Sequence, residues 1–143
     1  MRRRSLILSA AALAAARPAL ARGTEGALRM RDLYEKDMSF TALAETLAGE
    51  RVEVDGFMAP PLDADADWFV LTKRPMAVCP FCETDADWPR DILKVETKRR
   101  LTPVSFNRRI RVSGVLELGS ERDEATGFLS RVRLTDAVYD AVA

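Results

Sequence analysis

The sequence predicts a small, mainly β domain: a five-stranded barrel with one short helix before its first strand. Three observations lead to this prediction. The chain has 143 residues, a length that suits one compact domain. After residue 50, five segments are rich in β-branched and other apolar residues, and turn-forming and charged residues separate them. A stretch with helical periodicity precedes these segments.

The helix is predicted immediately before the strands. Leu28, Leu33 and Tyr34, standing among charged residues, indicate a first short helical turn. Ser39 is the predicted N-cap of the helix that follows, and Gly49 is its predicted stop. The apolar positions of this helix recur at i, i+3, i+4 and i+7, which places them on one face. They are Phe40, Leu43, Ala44 and Leu47.

The strand segments have the number and spacing of a small barrel. Gly114, inside the fourth segment, predicts a bulge or a close approach between backbones. Pro103 makes the interval between the third and fourth segments a predicted loop, where an OB-fold usually has a helix. The polar interval Gly119–Gly127 predicts a hairpin loop before the last strand. We therefore expect an OB-like barrel, the common five-stranded type. The five segments begin at Val52, Trp68, Ile92, Ile110 and Leu129.

The first 21 residues have the pattern of a cleaved export signal. Arg2, Arg3 and Arg4 form a basic start, an apolar run covers Leu6–Ala16, and Ala19-Leu20-Ala21 has the small-x-small pattern cut by a signal peptidase. The apolar run is shorter than the ~20 residues of a membrane span. Arg3-Arg4-Ser5-Leu6-Ile7 also resembles the twin-arginine export signature, and this favours a twin-arginine signal.

These patterns divide the chain into a signal peptide over 1–21, a leader with a short helix over 22–38, and an OB-like β-barrel domain over 39–143. We expect the mature protein to be exported, soluble and periplasmic, with no membrane span after the signal is removed. Cleavage would change the balance from 22 basic and 22 acidic residues to 18 basic and 22 acidic, a net charge of −4. This acidity gives nucleic-acid binding no electrostatic support.

Two cysteines are the strongest candidate reactive groups, because the chain contains no histidine. That absence excludes a Ser-His-Asp triad and an imidazole general base. Cys79 and Cys82, in the sequence Cys-Pro-Phe-Cys, have a spacing at which two thiolates can chelate a soft or borderline metal ion. Zinc would need two more ligands, supplied by the carboxylates of Glu83 and Asp85 or by a second cysteine pair across a homodimer. Copper(I) would combine the thiolates with a thioether, that of Met76 or Met58.

Two other interpretations of the pair stay open. Cys79 and Cys82 could form a redox-active dithiol, as in a thiol–disulfide oxidoreductase, although the acidic residues after Cys82 would raise thiol pKa values rather than lower them. Alternatively, they could form a structural disulfide in an oxidising compartment, within an interaction barrel. Such a short loop would place its stabilisation at the low end of ~2–4 kcal/mol. The leading expectation is a non-enzymatic binding module.

Three sequence segments resemble those of a known group of proteins. They are Gly56–Leu62, Trp68–Thr72 and Pro75–Cys82, which together cover about a third of the chain. The chain is similar to the uncharacterised, exported, OB-like bacterial proteins of the DUF3299 type. Many of those have a different loop where this chain has its cysteines. The resemblance implies an accessory component of a membrane transport system, in some cases concerned with metal supply.

Overall fold

The computed structural model describes residues 26–61, 65–78 and 89–142, and the predicted signal peptide lies outside these ranges. A short 3-10 helix and one α-helix precede five strands. These elements are the 3-10 helix Met30–Leu33, α1 (Ala42–Leu47), β1 (Arg51–Met58), β2 (Trp68–Thr72), β3 (Ile92–Thr97), β4 (Arg109–Arg122) and β5 (Leu129–Ala141).

The five strands form a closed barrel in the order β1-β2-β3-β5-β4. Neighbouring strands are antiparallel, except that β3 and β5 run parallel, with Val95 opposite Leu134. The predicted five-stranded, OB-like architecture is therefore confirmed. The interval from Lys98 to Arg108 contains no helix, as its proline predicts.

The barrel interior follows from alternation along the strands. In β1, Val52, Val54, Gly56 and Met58 are buried, whereas the residues that alternate with them are exposed or half-buried. The core is completed from the N-terminal side, because Leu28 and Leu33, in and beside the 3-10 helix, belong to the same cluster of buried side chains. The segment before the barrel thus contributes to its core.

Two details near the strands correct the sequence prediction. The helix begins later than expected: Thr41, not Ser39, is its N-cap, and its side chain accepts a hydrogen bond from the Ala44 N–H. Ser39 instead donates hydrogen bonds to the Asp37 carboxylate. The last hairpin is also longer than predicted, since β4 extends through Gly119 to Arg122 and pairs with β5 over that length.

Two glycines allow close contacts between strands. Gly114 lies at a register shift between β4 and β5, as predicted, and a Cβ there would lie 2.9 Å from the Leu134 Cβ. At Gly56 in β1, a Cβ would lie only 2.6 Å from the Thr72 carbonyl oxygen in β2. A side chain at either position would force the paired strands apart.

The outer face of β2 and β3 is covered by the chain itself. The Trp68 ring stacks on the ring of Phe128, a residue that follows the β4–β5 turn. The two ring centroids are 5.0 Å apart. The same second apolar cluster also contains Ala59, Val70 and Ile92. Lys94 is buried beside it, with its ammonium 5.0 Å from the Trp68 ring centroid. In OB-folds this face is the usual platform for oligonucleotides and oligosaccharides, and here the β4–β5 hairpin packs over it.

Among the described residues, no helix is both long enough and apolar enough to cross a membrane.

Candidate functional site

The segment that contains the cysteines leaves and re-enters the barrel at adjacent positions. Thr72, the last residue of β2, is the register partner of Ile92, the first residue of β3. Beyond this pair, the Lys73 N–H donates a hydrogen bond of 3.0 Å to the Asp91 carbonyl. The Thr72 hydroxyl lies 2.7 Å from the Arg74 carbonyl. We call residues 72–74 and 90–92 the stem. A connection this long is uncommon in a compact domain, and such connections are usually either functional or linker segments.

The returning side of the stem is fastened to the N-terminal segment. The Arg90 guanidinium donates hydrogen bonds to the Lys36 carbonyl and to the Met38 sulfur. Met38 has a φ of 69°, a left-handed conformation that is uncommon for a residue with a side chain. The barrel therefore holds one side of the stem, and residues 36–38 hold the other.

The predicted metal ligands fall mostly outside the described residues. Cys79, Cys82, Glu83 and Asp85 belong to the segment 79–88, which the structure does not describe. Met76 is described and half-buried, three residues before Cys79. Within residues 26–61, 65–78 and 89–142, there is no group of three or more cysteine, aspartate and glutamate side chains that could hold a metal.

Met58, the other thioether considered for copper, lies in the barrel core. It is 1% exposed, and its sulfur lies 3.4 Å from the Val104 N–H, which donates to it. A thioether enclosed in this way cannot reach an ion at the surface without opening the core.

A cleft of about 440 Å³ adjoins the stem on the outer surface of β1. Residues 27–31 form one side of it, and Asp55, Gly56 and Phe57 form the other. Lys73 from the stem and Arg109 from the start of β4 complete its lining. Lys73 thus belongs both to the stem and to the cleft.

The Asp55 carboxylate in this cleft is neutralised by two arginines of β4. Arg111 donates hydrogen bonds to both of its oxygens, at 2.7 and 3.0 Å, and Arg109 donates one at 3.2 Å. The hydrogen bond from Arg111 is the main reason that the pKa of Asp55 lies below its ordinary value; partial burial opposes this effect, and the charge of Arg109 adds to it.

This lowered pKa predicts an acid-dependent contribution of Asp55 to stability. A carboxyl group whose pKa is lower in the folded state stabilises the protein above its unfolded-state pKa, near 3.8, and loses that contribution as the pH falls through the folded-state pKa. We expect Asp55→Asn to cost roughly 1 kcal/mol at pH 7 and to flatten the fall in unfolding free energy below about pH 4. Urea denaturation between pH 3 and 7 measures both effects.

Arg111→Met provides an independent check, because it removes the main hydrogen-bond donor but keeps the carboxyl group. It should flatten the same part of the pH profile. If both variants keep the wild-type pH dependence, Asp55 does not make this contribution.

Sequence reasoning missed the cleft, because its cations come from distant parts of the chain. Arg29 and Arg31 precede the barrel, Lys73 follows β2 and Arg109 begins β4. Arg108 and Arg109 are adjacent in the sequence, but nothing in the sequence joins Arg109 to the other three cations. Strand order and register bring these residues together.

The barrel and its long β2–β3 connection define the protein as an OB-like domain. No family model matches the chain, and a search of curated proteins found no match. A solved structure has the same fold: the crystal structure of a DUF3299 family protein from Pseudomonas aeruginosa PAO1, with a TM-score of 0.53 and 14% sequence identity. The match covers 85% of this chain and 98% of that one. The DUF3299-type resemblance is therefore confirmed at the level of the fold.

Proposed function

We propose that the protein is a non-enzymatic, exported binding module that handles a soft metal ion through Cys79 and Cys82. The observation that supports this proposal is the stem: the segment with the cysteine pair begins and ends where Lys73 and Asp91 are joined by a hydrogen bond. A rigid barrel that presents a long connection is a common arrangement for a binding site. The export pattern of residues 1–21 agrees with a periplasmic location.

The donor set suits zinc or copper(I). Thiolates bind both ions, and each ion needs ligands beyond the two cysteines. For zinc, Glu83 and Asp85 or the cysteine pair of a second subunit would complete four ligands. For copper(I), Met76 is the candidate third ligand, because Met58 is enclosed in the core. We further propose that the partner is a component of a membrane transport system, the role that the DUF3299-type resemblance implies.

The proposal predicts that the protein, purified from the compartment to which it is exported, contains about one zinc or copper ion per chain or per dimer. Cys79→Ser should abolish this content, because one thiolate cannot chelate. Elemental analysis combined with thiol counting measures it. Met76→Leu is the matched variant: it should weaken copper binding and leave zinc binding unchanged.

Other results would contradict metal handling. Protein that stays free of metal when titrated under reducing conditions would refute the proposal. If the thiols of the protein as purified, before any reductant is added, are fully oxidised, a structural disulfide is favoured. A mixed disulfide trapped by Cys82→Ala, together with a Cys79 pKa well below ~8.5, would favour a thiol–disulfide oxidoreductase.

A further inference from the structure

The structure assigns a second binding site to this protein: we infer that the cleft between residues 27–31 and β1 binds an organic anion through Lys73, Arg31 and Arg109. The inference is argued from described residues and does not depend on the cysteine pair. Either proposal can therefore fail without the other.

Positive charge predominates among the charged side chains that line the cleft. Among the described residues that line it, four carry cationic side chains and Asp55 alone carries a carboxylate. Arg109 and Arg111 share the single carboxylate of Asp55, so one positive charge of this pair stays uncompensated. Within the described part of the chain, no carboxylate lies within ion-pairing distance of the Lys73 ammonium. The other three cations are Arg29, Arg31 and Arg109.

The remaining ion pairs leave much of this charge available. Asp32 is shared between Arg29, at 2.8 Å, and Arg31, at 3.9 Å. Both arginine side chains are more than half exposed, so their ion pairs with Asp32 are weak. An anionic ligand can take the place of the Asp32 carboxylate in these pairs. The cleft is therefore positive, although the mature chain is expected to be acidic overall. A positively charged cleft on an acidic protein favours an anionic ligand.

The size and lining of the cleft suit a small organic molecule. A volume of about 440 Å³ lies within the ~300–1,000 Å³ range of small-molecule sites. Half-buried Phe57 lines the cleft together with the mostly buried Leu28 and Met30, so apolar atoms lie beside the cations. An inorganic ion would leave these apolar atoms in water, and an extended peptide would need a longer groove. The ligand expected here has an apolar body and a carboxylate or phosphate head that guanidinium groups can bind.

The test uses the dye 1-anilinonaphthalene-8-sulfonate, an aromatic anion, and its uncharged analogue N-phenyl-1-naphthylamine. We expect the anionic dye to bind the purified protein with a fluorescence increase and the neutral analogue to bind more weakly. Lys73→Glu and Arg31→Glu should each raise the Kd of the anionic dye about tenfold. Octanoate and monooctyl phosphate should compete with the dye, and the stronger competitor identifies the preferred head group.

Arg99→Glu is the matched control. Arg99 is exposed and follows the end of β3 that lies opposite to the stem, about 20 Å from Ile92 along the strand. This charge reversal should leave the Kd unchanged, and thermal melting should show that all three variants are folded. Equal Kd values for the wild type and the two cleft variants would overturn the inference. So would displacement of the dye by a hexaglutamate peptide but by neither small anion, since the cleft would then bind a protein segment.

Discussion

Replacing Phe69 by alanine is expected to lower the free energy of unfolding by about 3–5 kcal/mol. Phe69 is 1% exposed and is the second residue of β2, with its side chain in the core of the barrel. Its ring meets the edge of Tyr139 from β5, with centroids 5.4 Å apart and an angle of 78°. The loss therefore combines the transfer of a large apolar side chain, a cavity and a specific aromatic contact.

The effect should extend to the loop between β3 and β4. The Tyr139 hydroxyl donates a hydrogen bond of 2.7 Å to the Thr102 carbonyl and accepts one of 2.9 Å from the Thr102 N–H. A cavity beside Tyr139 loosens the ring that makes these bonds. In Phe69→Ala, faster amide exchange at Thr102 should accompany the lower stability.

Chemical denaturation measures the first effect, and Phe106→Ala is its control. Phe106 is 38% exposed, so its removal should change stability by about 0.5 kcal/mol or less. A cost below about 1 kcal/mol for Phe69→Ala would show that the barrel collapses around the cavity.

The second large effect concerns the buried ammonium of Lys94. The Lys94 side chain is 3% exposed, and its nitrogen lies 2.9 Å from a Glu96 oxygen and 3.7 Å from an Asp123 oxygen. Removing one side of a buried ion pair leaves an uncompensated charge in the interior. We expect the double variant Glu96→Gln, Asp123→Asn to lose about 3–5 kcal/mol.

Adding Lys94→Met to this double variant should restore most of the stability, because the buried charge is then gone and its alkyl stem is replaced. Urea denaturation of the double and triple variants provides the comparison. Asp123 also accepts hydrogen bonds from Thr126 in the β4–β5 turn. If the triple variant is as unstable as the double variant, the loss comes from this turn and not from Lys94.

Sequence reasoning predicted the barrel well, because alternation and turn residues are local properties of a strand. The first residues predicted for β2 and β3, Trp68 and Ile92, agree with the structure, and Gly114 marks a register shift as expected. The predicted helix start was wrong, because Ser39 and Thr41, two residues apart, can each cap a helix. Thr41 is the cap in the structure, and its hydroxyl also donates to the Asp32 carbonyl, a tertiary contact that no local pattern reveals.

The two candidate sites, the cysteine pair and the cleft, also differ in whether the sequence alone reveals them. The Cys-Pro-Phe-Cys motif is contiguous and could be recognised from the sequence, whereas the cleft depends on the pairing of Phe57 with both Thr72 and Arg109. Lys94 illustrates the same limit. Its burial between flanking apolar residues follows from the β4–β5 hairpin packing over β3, and β3 alone gives no sign of that packing.

The stem has a consequence for how such proteins can diversify. Because the Thr72–Ile92 register pair and the Lys73–Asp91 hydrogen bond join the two ends of the connection, the barrel closes independently of the residues inserted between them. Long surface insertions with adjoining ends cost little additional loop-closure entropy. One barrel can therefore acquire, lose or exchange a cysteine-bearing insert over evolutionary time, and the stem offers a natural position for grafting a different one.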